Sequence, residues 1–391
     1  MFVQIHTLRD YSTALPNRGQ DGLAKRTIYG GIERQRISSQ SFKAAMRDNL
    51  TLVRTDKAGA VISDTMKDLA ERLGLGMSVR SALIGDRRFV PALTSRGFSE
   101  EDAKRWSDEV MGLWRAEGAK VESDTPIVIG EKEISALADA CLALNNEKQK
   151  PSDLRKLMES SRKVSSSKVQ DAIKSMRAVQ SNAGLDGALF GRFATGIAVN
   201  NVDSAVHVAH LVTVHPLFSV TDFFSVQDLL KTGEGEDRGG SHINTAELTS
   251  GLFYGYVVVD LGQLTENFAE LSNDQRASIA GWLVRAVAQV EPAAKLGSTA
   301  PYSGLRELMV EIGRRQPRSL IGAFERPVEA TRERTLSEEA RHCLELHAIE
   351  MDTLMGVPDY RSTLRQHAKG PGPAVETMSD DVAEKLLVLA A

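Results

Sequence analysis

The sequence predicts an α+β protein: an RRM-like (ferredoxin-like) sheet, called the palm, with an inserted helical subdomain and a β-hairpin thumb. Three observations support this class. Strand and helix patterns alternate in the N-terminal part and again in the C-terminal part of the chain. A long helical stretch separates these two parts. A Gly-rich segment interrupts the C-terminal part. We therefore divide the 391 residues into a first palm part at 1–56, helical fingers at 57–182 and a second palm part at 183–391, with the thumb at about 216–249.

The first palm part begins with a strand and continues through a loop into a helix. Phe2 to Leu8 alternates apolar and polar residues, as a half-buried strand does. Ser38 or Ser39 is a good N-cap, because a short hydroxyl accepts a hydrogen bond from an unpaired backbone N–H of the first turn. The helix then starts near Gln40. Helical spacing separates an apolar side from a polar side, with Phe42, Ala45, Met46 and Leu50 opposed to Gln40, Lys43 and Arg47.

The fingers are predicted from apolar residues that recur at helical spacing. Ser99 followed by Asp102 indicates a helix start. Residues 152–177 are rich in Lys, Arg and Ser, which is typical of a solvated surface, and the alternative is a surface that faces a partner. The apolar stripes are Ile62, Met66, Leu69 and Leu73, then Trp106, Val110 and Leu113, then Val169, Ile173 and Met176.

The second palm part returns to an alternation of strands and helices. Its predicted elements are a strand at Ala188 to Phe193, a helix at Val202 to Val212, a buried strand at Gly251 to Leu261, a packing helix through Ile279 and Val290, further strands within 306–328, and a short helix at 379–389. The Gly-Pro-Gly-Pro stretch after Lys369 predicts a flexible tail before that last helix.

The thumb is predicted from an exposed tip between two ordered arms. The segment contains Phe223 and Phe224 and ends in GEGEDRGGSH, which is typical of a protruding hairpin. Adjacent aromatic residues on such an arm can stack on bases, a contact worth roughly 1–3 kcal/mol per base. The alternative is that the two rings form a local hydrophobic plug.

Charge concentrates in one stretch of the chain. From Arg18 to Arg47 there are seven Lys or Arg and two Asp or Glu, a net of +5 in a protein whose total is -4. This excess predicts an anionic polymer as partner, bound along a stripe. Backbone N–H groups at the helix start would favour a phosphate there, and Gly30-Gly31 allows a sharp turn or a close approach to a ligand. The alternative is a solvated amphipathic helix after a charged loop.

Other chemistries are weakly supported by the sequence. Cys141 and Cys343 are far apart and lack metal-ligand spacing. Asp203, His207 and His210 share a face of the predicted helix, but an apolar helix with this spacing is more typical of structural histidines than of a metal site. No phosphate-loop, nucleophile-elbow or zinc-helix motif occurs. No signal segment or apolar run of membrane-spanning length occurs, so we expect a cytoplasmic protein with no metal, no cofactor and no membrane partner.

Four sequence stretches resemble one known family. GGIERQRISSQSFKAAMR, with Arg18 and Lys25 before it, resembles the N-terminal signature of CasC (Cse-type), the crRNA-binding backbone subunit of the type I-E CRISPR Cascade complex. GALFGRFATG from Gly187, VDSAVHVAHLVTVH from Val202 and SHINTAELTSGLFYGY from Ser241 follow in the order and spacing of that family. The resemblance extends to about residue 350.

This resemblance implies a non-enzymatic antiviral scaffold. Such a subunit binds crRNA, forms a head-to-tail filament with other copies of itself, joins other Cascade subunits and presents the guide for base pairing with target DNA. The thumb of that family kinks the guide at regular intervals, and this chain has Phe223 where the family usually has Trp. The RNA-contacting positions carried over are Arg18, Lys25, Ser38, Gln40, Lys43, Arg47, Phe193, Phe223, Phe224 and Ser225.

Two alternatives to this scaffold remain open. Related type III backbone subunits cleave target RNA with a loop aspartate, and Asp21 lies in the basic loop. A metal-dependent endonuclease would need this carboxylate and a cation beside the scissile phosphate. The other alternative is a solitary RRM-type binding module, which would stay monomeric on a short RNA.

Overall fold

A computed structural model describes the chain as two compact units. The palm unit comprises Met1–Ser63, His207–Val259 and Ala277–Ala391, and the finger unit comprises Asp64–Val206 and Asp260–Arg276. The sequence had placed the fingers at 57–182 in one piece. The structure describes all residues except 49–51, 57, 115–125, 160–165, 180–182, 194–200, 227–241, 270, 293–295, 303, 367–373 and 391, and it also leaves out the side chains of 159, 177–179, 225–226, 242–244 and 296.

The strands of the described ranges vary in length from 3 residues in β4 to 19 residues in β11. They are β1 (Phe2–Ala14), β2 (Arg26–Tyr29), β3 (Ile32–Ile37), β4 (Val53–Thr55), β5 (Val61–Ser63), β6 (Ser78–Ser81), β7 (Ile127–Gly130), β8 (Val206–Val208), β9 (Leu211–Thr213), β10 (Phe218–Val226), β11 (His242–Asp260), β12 (Gly304–Gly313) and β13 (Tyr360–Arg365).

The helices of the described ranges are concentrated in the fingers and in the C-terminal third. They are α1 (Ser39–Asp48), α2 (Met66–Arg72), α3 (Val90–Thr94), α4 (Glu100–Leu113), α5 (Glu131–Asn146), α6 (Leu154–Glu159), α7 (Ser167–Val179), α8 (Gly184–Phe190), α9 (Leu261–Asn267), α10 (Asn273–Gln289), α11 (Leu296–Thr299), α12 (Leu336–Met355) and α13 (Val375–Ala390). A π-helical turn covers Gly85–Phe89, and 3-10 turns cover Pro151–Asp153 and Ile321–Phe324.

The palm sheet has the strand order of a ferredoxin-like fold. Its order is β13-β12-β1-β11-β9-β3-β2, and β8 and β10 also pair with β11. Within it, β12-β1-β11-β9 is the four-stranded core, with α1 between β1 and β9 in sequence and α10 between β11 and β12. The predicted α+β class with an RRM-like palm, inserted helices and a hairpin thumb is confirmed.

One face of this sheet carries α1 and α10. Arg9 of β1 is fully buried, and its guanidinium donates to the carbonyl oxygen of Val290 at 2.8 Å and to that of Val287. These carbonyls end α10 and have no partner within the helix. The same guanidinium lies 5.2 Å from the ring centroid of Phe42 on α1. A single buried cation therefore joins the first strand to both packing helices.

The opposite face is covered by α12. Leu8, Tyr254 and Tyr256 pack there with Leu344 and Ala348 of α12. Charged pairs fasten this layer: Arg361 of β13 binds Glu311 of β12 at 2.7 Å and Asp352 of α12 at 2.8 Å. Burial alone would raise the pKa of Glu311, but its contacts with His6 and Arg361 lower it to about 2.

The fingers have their own core. The stripes Trp106, Val110 and Leu113, and Val169, Ile173 and Met176, meet in one buried cluster, and Ser99 caps α4 by accepting a hydrogen bond from the Asp102 backbone. Both stripes and the cap are confirmed. Ile62 lies on β5 instead of a helix, since the short β4–β5 hairpin precedes α2.

Two element types in the second palm part were predicted wrongly. The predicted strand at Ala188 to Phe193 begins instead with the last turn of α8, which is followed by the C-cap Gly191 with φ of 82° and an isolated bridge between Arg192 and Val202. Val202 to Val212 contains β8 and β9, not a helix. The run VHVAHLV fits a helical face as well as a strand, and pairing with β11 decides for the strand.

The last predictions differ in extent. The segment 306–328 contributes one strand, β12, followed by the 3-10 turn at Ile321–Phe324. The final helix α13 begins at Val375, earlier than predicted. The Gly-Pro-Gly-Pro stretch and Leu50 lie outside the described residues.

Candidate nucleic-acid interface

The basic loop after β1 is folded onto the start of α1. Arg18 and Ala24 form an antiparallel bridge, so the loop is a tight hairpin. The Asn17 side chain accepts a hydrogen bond from the Ser38 backbone at 3.0 Å, and the Lys25 N–H donates to the Asn17 carbonyl at 3.1 Å. Asn17 therefore holds both ends of the loop against the N-terminus of α1.

The thumb is fastened to this loop at its base. Glu247 of β11 is 8% exposed. One of its carboxylate oxygens accepts from the Ala24 N–H at 2.5 Å, and the other pairs with Arg26 at 2.6 Å. Both contacts involve a charged group, which makes them stronger than neutral hydrogen bonds. The thumb and the basic loop are thus one connected structure.

Not all seven cations of the predicted stripe face solvent. Arg34 is fully buried and donates to the carbonyls of Thr213 at 3.2 Å and Phe324 at 3.1 Å. Arg26 is paired with Glu247 and Glu33. These two cations stabilise the fold, so the stripe is weaker than the sequence count indicates.

The predicted contact residues of the stripe differ in exposure. Arg18 and Gln40 are exposed, and Lys25, Lys43 and Arg47 are half-buried. Burial lowers the pKa of Lys43, and the positive charge of Arg47 lowers it further. An anion near this pair would relieve their repulsion.

The helix start is capped as predicted, although the cap changes the expected role of one residue. Ser38 precedes α1, and its hydroxyl accepts from the Ser41 N–H at 3.3 Å. Ser38 is only 5% exposed. Its hydroxyl is therefore engaged in holding the helix start, on which the neighbouring Gln40 depends.

His210 is a member of this surface that sequence reasoning missed. Its Nδ1 accepts from the Ser39 N–H at 2.9 Å and lies 3.5 Å from an Arg36 nitrogen. Because Nδ1 accepts, the ring proton sits on Nε2. Partial burial, together with Arg36 and Lys25, lowers its pKa. No local signal pairs His210 with Ser39, which lies 171 positions earlier.

Gly30-Gly31 makes the sharp turn that the sequence allowed. Both glycines have positive φ, 60° and 76°, in the turn between β2 and β3. A Cβ at Gly30 would lie 1.9 Å from the carbonyl oxygen of Glu325. The close approach predicted here is therefore to the chain's own backbone.

The thumb carries its aromatic residues on both faces. Phe223 pairs with Thr245 and Phe224 with Asn244 across the hairpin, and their side chains are 62% and 41% exposed. Neighbours along a strand point to opposite faces, so the two rings do not form a plug with each other. Ser225 pairs with Ile243 through the backbone, but its side chain and the tip at 227–241 lie outside the described residues.

Phe193 belongs to the finger unit. It is 83% exposed and directly follows Arg192, whose guanidinium pairs with Glu133 at 2.6 Å with both side chains fully buried. Breaking such a pair typically costs about 3–5 kcal/mol. The exposed ring is thus attached to a firmly held backbone.

The sheet face that ordinary RRM domains use for RNA is closed. Those domains stack bases on aromatic residues of the central strands. Here the corresponding face holds His6, Tyr254 and Tyr256, which are 0%, 2% and 9% exposed beneath α12. Nucleic acid cannot reach these rings while α12 is in place.

Comparison with known families identifies the chain. The profile of the Cas_CT1975 family, described as CT1975-like protein, matches residues 3–387. The chain belongs to this family. A comparison with curated proteins gave no match.

Solved structures share the fold of this CT1975-like chain. One, titled "CRISPR RNA-guided surveillance complex, pre-nicking", has a TM-score of 0.72 at 22% identity and covers 99% of this chain and 100% of its own. Another, titled "CRISPR RNA-guided surveillance complex", has a TM-score of 0.65 at 19% identity over 98% and 100%. The similarity thus includes palm, fingers and thumb.

The residues considered for nuclease or metal chemistry do not group into a metal site within the described part of the CT1975-like fold. Asp21 is exposed, and its carboxylate accepts from the Leu23 N–H at 3.0 Å within the loop. His207 and His210 lie on and after β8, not on a common helix face. Within the described ranges, no three His, Cys, Asp or Glu side chains group as metal ligands would. Cys141 and Cys343 are free thiols. None of the helices that the structure describes is both long and apolar enough to cross a bilayer.

Proposed function

We propose that this protein is a crRNA-binding backbone subunit of a CRISPR Cascade-type surveillance complex, of subtype I-E, and that it has no enzymatic activity. Membership of the CT1975-like family and the shared fold with chains of two CRISPR RNA-guided surveillance complexes support this proposal. The subtype rests on the resemblance of the basic segment and the Gly187 to Tyr256 stretches to CasC.

The observation that carries the proposal is the pair of contacts by which Glu247 of the thumb binds the Ala24 N–H and Arg26 of the basic segment. This carboxylate links a cationic hairpin to a ribbon with exposed aromatic side chains. Cations attract phosphates, and aromatic faces stack on any base. Together they form a surface that binds single-stranded RNA without reading its sequence, as a scaffold for varied guides requires.

In this proposal each predicted residue has a role suited to its position. Cationic and amide side chains of Arg18, Lys25, Gln40, Lys43 and Arg47 contact the guide backbone. Ser38 holds the helix start, and the thumb residues Phe223, Phe224 and Ser225, with Phe193 of the fingers, displace or support bases.

The proposed assembly is a filament along the guide. A head-to-tail contact between identical copies does not close on itself, so the RNA length sets the number of copies. The bound guide then pairs with target DNA, and pairing supplies the specificity. Other Cascade subunits would occupy the ends and sides of this filament.

Nuclease footprinting of the purified chain on single-stranded RNA of guide length tests this proposal. We expect protection that repeats at a constant interval and lengthens with the RNA, and light scattering that rises in steps. A Phe223→Ala variant should keep the protection and change the pattern of hypersensitive positions. A single monomer on every RNA length would instead support the solitary RRM-type module.

A second measurement distinguishes the target-RNA endonuclease from the non-enzymatic scaffold. The assembled complex is incubated with Mg²⁺ and RNA complementary to the guide, using wild type and Asp21→Ala. We expect the complementary RNA to remain intact in both. Cuts at regular spacing in the wild type that disappear in Asp21→Ala would assign the catalytic role to this carboxylate.

A further inference from the structure

A groove opens at the base of the thumb beside the β2–β3 hairpin. It has a volume of about 480 Å³ and is separate from the exposed rings near the thumb tip. Its thumb side carries four apolar side chains together with Ser219 and Ser250, and its side formed by the β2–β3 hairpin is charged. The side chains that matter are Leu217, Phe218, Val220 and Leu248, together with Arg26 and Glu33.

Phe218 is the aromatic residue of this groove. Its side chain is 58% exposed, although a Phe at the base of a strand is usually covered. The ring of His215 stacks against it with centroids 4.9 Å apart and an interplanar angle of 21°. His215 is itself fixed, because its Nδ1 contacts the Pro216 carbonyl at 2.6 Å and its Nε2 accepts from the Leu252 N–H at 3.0 Å. Phe218 is therefore a supported ring that a ligand can reach without first ordering it.

The polar side of the groove offers both a donor and an acceptor. Arg26 lies 3.4 Å from Glu33 and 2.6 Å from Glu247, and Glu33 is 53% exposed. One cation between two carboxylates has a local charge of about -1, which disfavours a phosphate. A flat, uncharged heterocycle with N–H and carbonyl groups at its edge suits this combination better.

The groove adjoins the basic loop, Arg18 to Lys25, of the proposed guide site. Glu247 connects Arg26 of the groove to the Ala24 backbone, next to Lys25. Phosphates bound by Arg18 and Lys25 would thus pass close to the groove. A base attached to such a phosphate is the occupant that this arrangement of charges favours.

We propose that one nucleobase of the bound RNA stacks on Phe218 in this groove. The inference rests on the proposed function and adds to it a base platform at the thumb base, distinct from Phe223 and Phe224. The contact is independent of sequence, because every base presents a π-face. His215 supports the platform from behind without touching the RNA.

Single 2-aminopurine substitutions along a guide-length RNA test this directly. In the wild-type complex we expect fluorescence quenching at one position of each repeat that Phe218→Ala removes. The same change should weaken RNA binding about 5-fold to 150-fold per site, the range expected for a lost base stack, and leave the salt dependence unchanged because no charge is lost.

Matched variants distinguish stacking from apolar contact. Phe218→Trp should restore quenching, whereas Phe218→Leu should not, although it keeps an apolar side chain. Val220→Ala, in the same groove, should leave the quenched position in place. Since Phe218 is largely exposed, all variants should keep the wild-type melting temperature, which shows that they fold.

Two results would overturn the inference. If wild type binds RNA in a salt-dependent manner but no 2-aminopurine position responds to Phe218→Ala, the proposed function stands and the base platform fails. If Phe218→Ala lowers self-association without RNA, and Phe218→Leu does not, the groove is an apolar contact between copies. A wild-type chain that binds no RNA would refute the proposed function itself.

Discussion

The two halves of β11 have the same secondary structure and opposite surroundings. From Gly251 onward the strand is buried at every position except Asp260, whereas its first half mixes exposed, intermediate and buried side chains over the described residues Thr245 to Ser250. The second half lies inside the palm sheet between β1 and β9. The first half pairs with β10 in a register from Phe218–Ser250 to Val226–His242.

This difference shows where binding chemistry can be placed on such a sheet. Tyr254 and Tyr256, in the second half, become core residues once α12 covers them. Under the proposed function, the aromatic residues that contact RNA must then lie elsewhere, and the thumb exposes Phe218, Phe223 and Phe224, each by more than 40%. In this proposal the palm supplies stability and the thumb supplies the RNA contact surface.

The largest expected effect contrasts one aromatic residue from each region. Phe253→Ala removes a fully buried ring and should lower the free energy of unfolding by about 3–5 kcal/mol, as measured by urea titration. Phe223→Ala, at an exposed position, should change it by no more than about 0.5 kcal/mol. Equal losses for the two variants would contradict the contrast.

The second prediction concerns the joint between thumb and loop. Glu247→Ala leaves the Ala24 N–H and Arg26 without this carboxylate and should lower the free energy of unfolding by about 1–3 kcal/mol, and RNA affinity should fall as well. Glu247→Gln retains an acceptor and loses the ion pair, so its loss should be smaller. Unaltered RNA binding in both variants would show that the joint is not part of the interface.

The third prediction tests the charge of the stripe. Replacing Lys43 and Arg47 together by Gln should reduce the salt dependence of RNA binding by roughly 1.4 log units per log unit of salt, at about 0.7 per phosphate contact in single strands. Replacing Lys67 and Arg105, two exposed cations of the fingers, is the matched control. A slope that stays the same in the first variant would exclude Lys43 and Arg47 from the RNA site.

The smallest effect is a local dependence on pH at His210. Its pKa lies below the ordinary value of 6.5 because burial and nearby cations disfavour the charged ring. The hydrogen bond from Ser39 is therefore fully present above pH 6.5 and lost as pH falls through the lowered pKa. The Ser39 amide resonance should move over that range in wild type. In His210→Asn, whose side-chain oxygen can accept but does not titrate, it should stay constant, and movement there would point to another group.

The sequence predicted the structural features that depend on residues close together in the chain, and it failed where the deciding contacts are made by distant residues. The N-cap at Ser38, the helix α1 and the apolar stripes of α4 and α7 depend on residues within a few positions of each other, so local pattern was enough. The segment at Val202 to Val212 was assigned to the wrong class because its apolar spacing fits both periods, and only hydrogen bonding to β11, about 40 positions later, decides. Exposure of Phe223 and Phe224 was an open question until the hairpin placed them on opposite faces.

The sequence by itself determined the fold class, the helical fingers and the excess of positive charge between Arg18 and Arg47, because these follow from periodicity and composition. Only the tertiary structure decided which of those cations are neutralised within the fold: Arg34 donates to buried carbonyl groups, and the charge of Arg26 is balanced by two carboxylates. It also brought His210 to Ser39 and Glu247 to Ala24, contacts that span 171 and 223 positions. Such pairings depend on how the sheet assembles, since no local signal in a chain specifies which distant backbone group a side chain will meet.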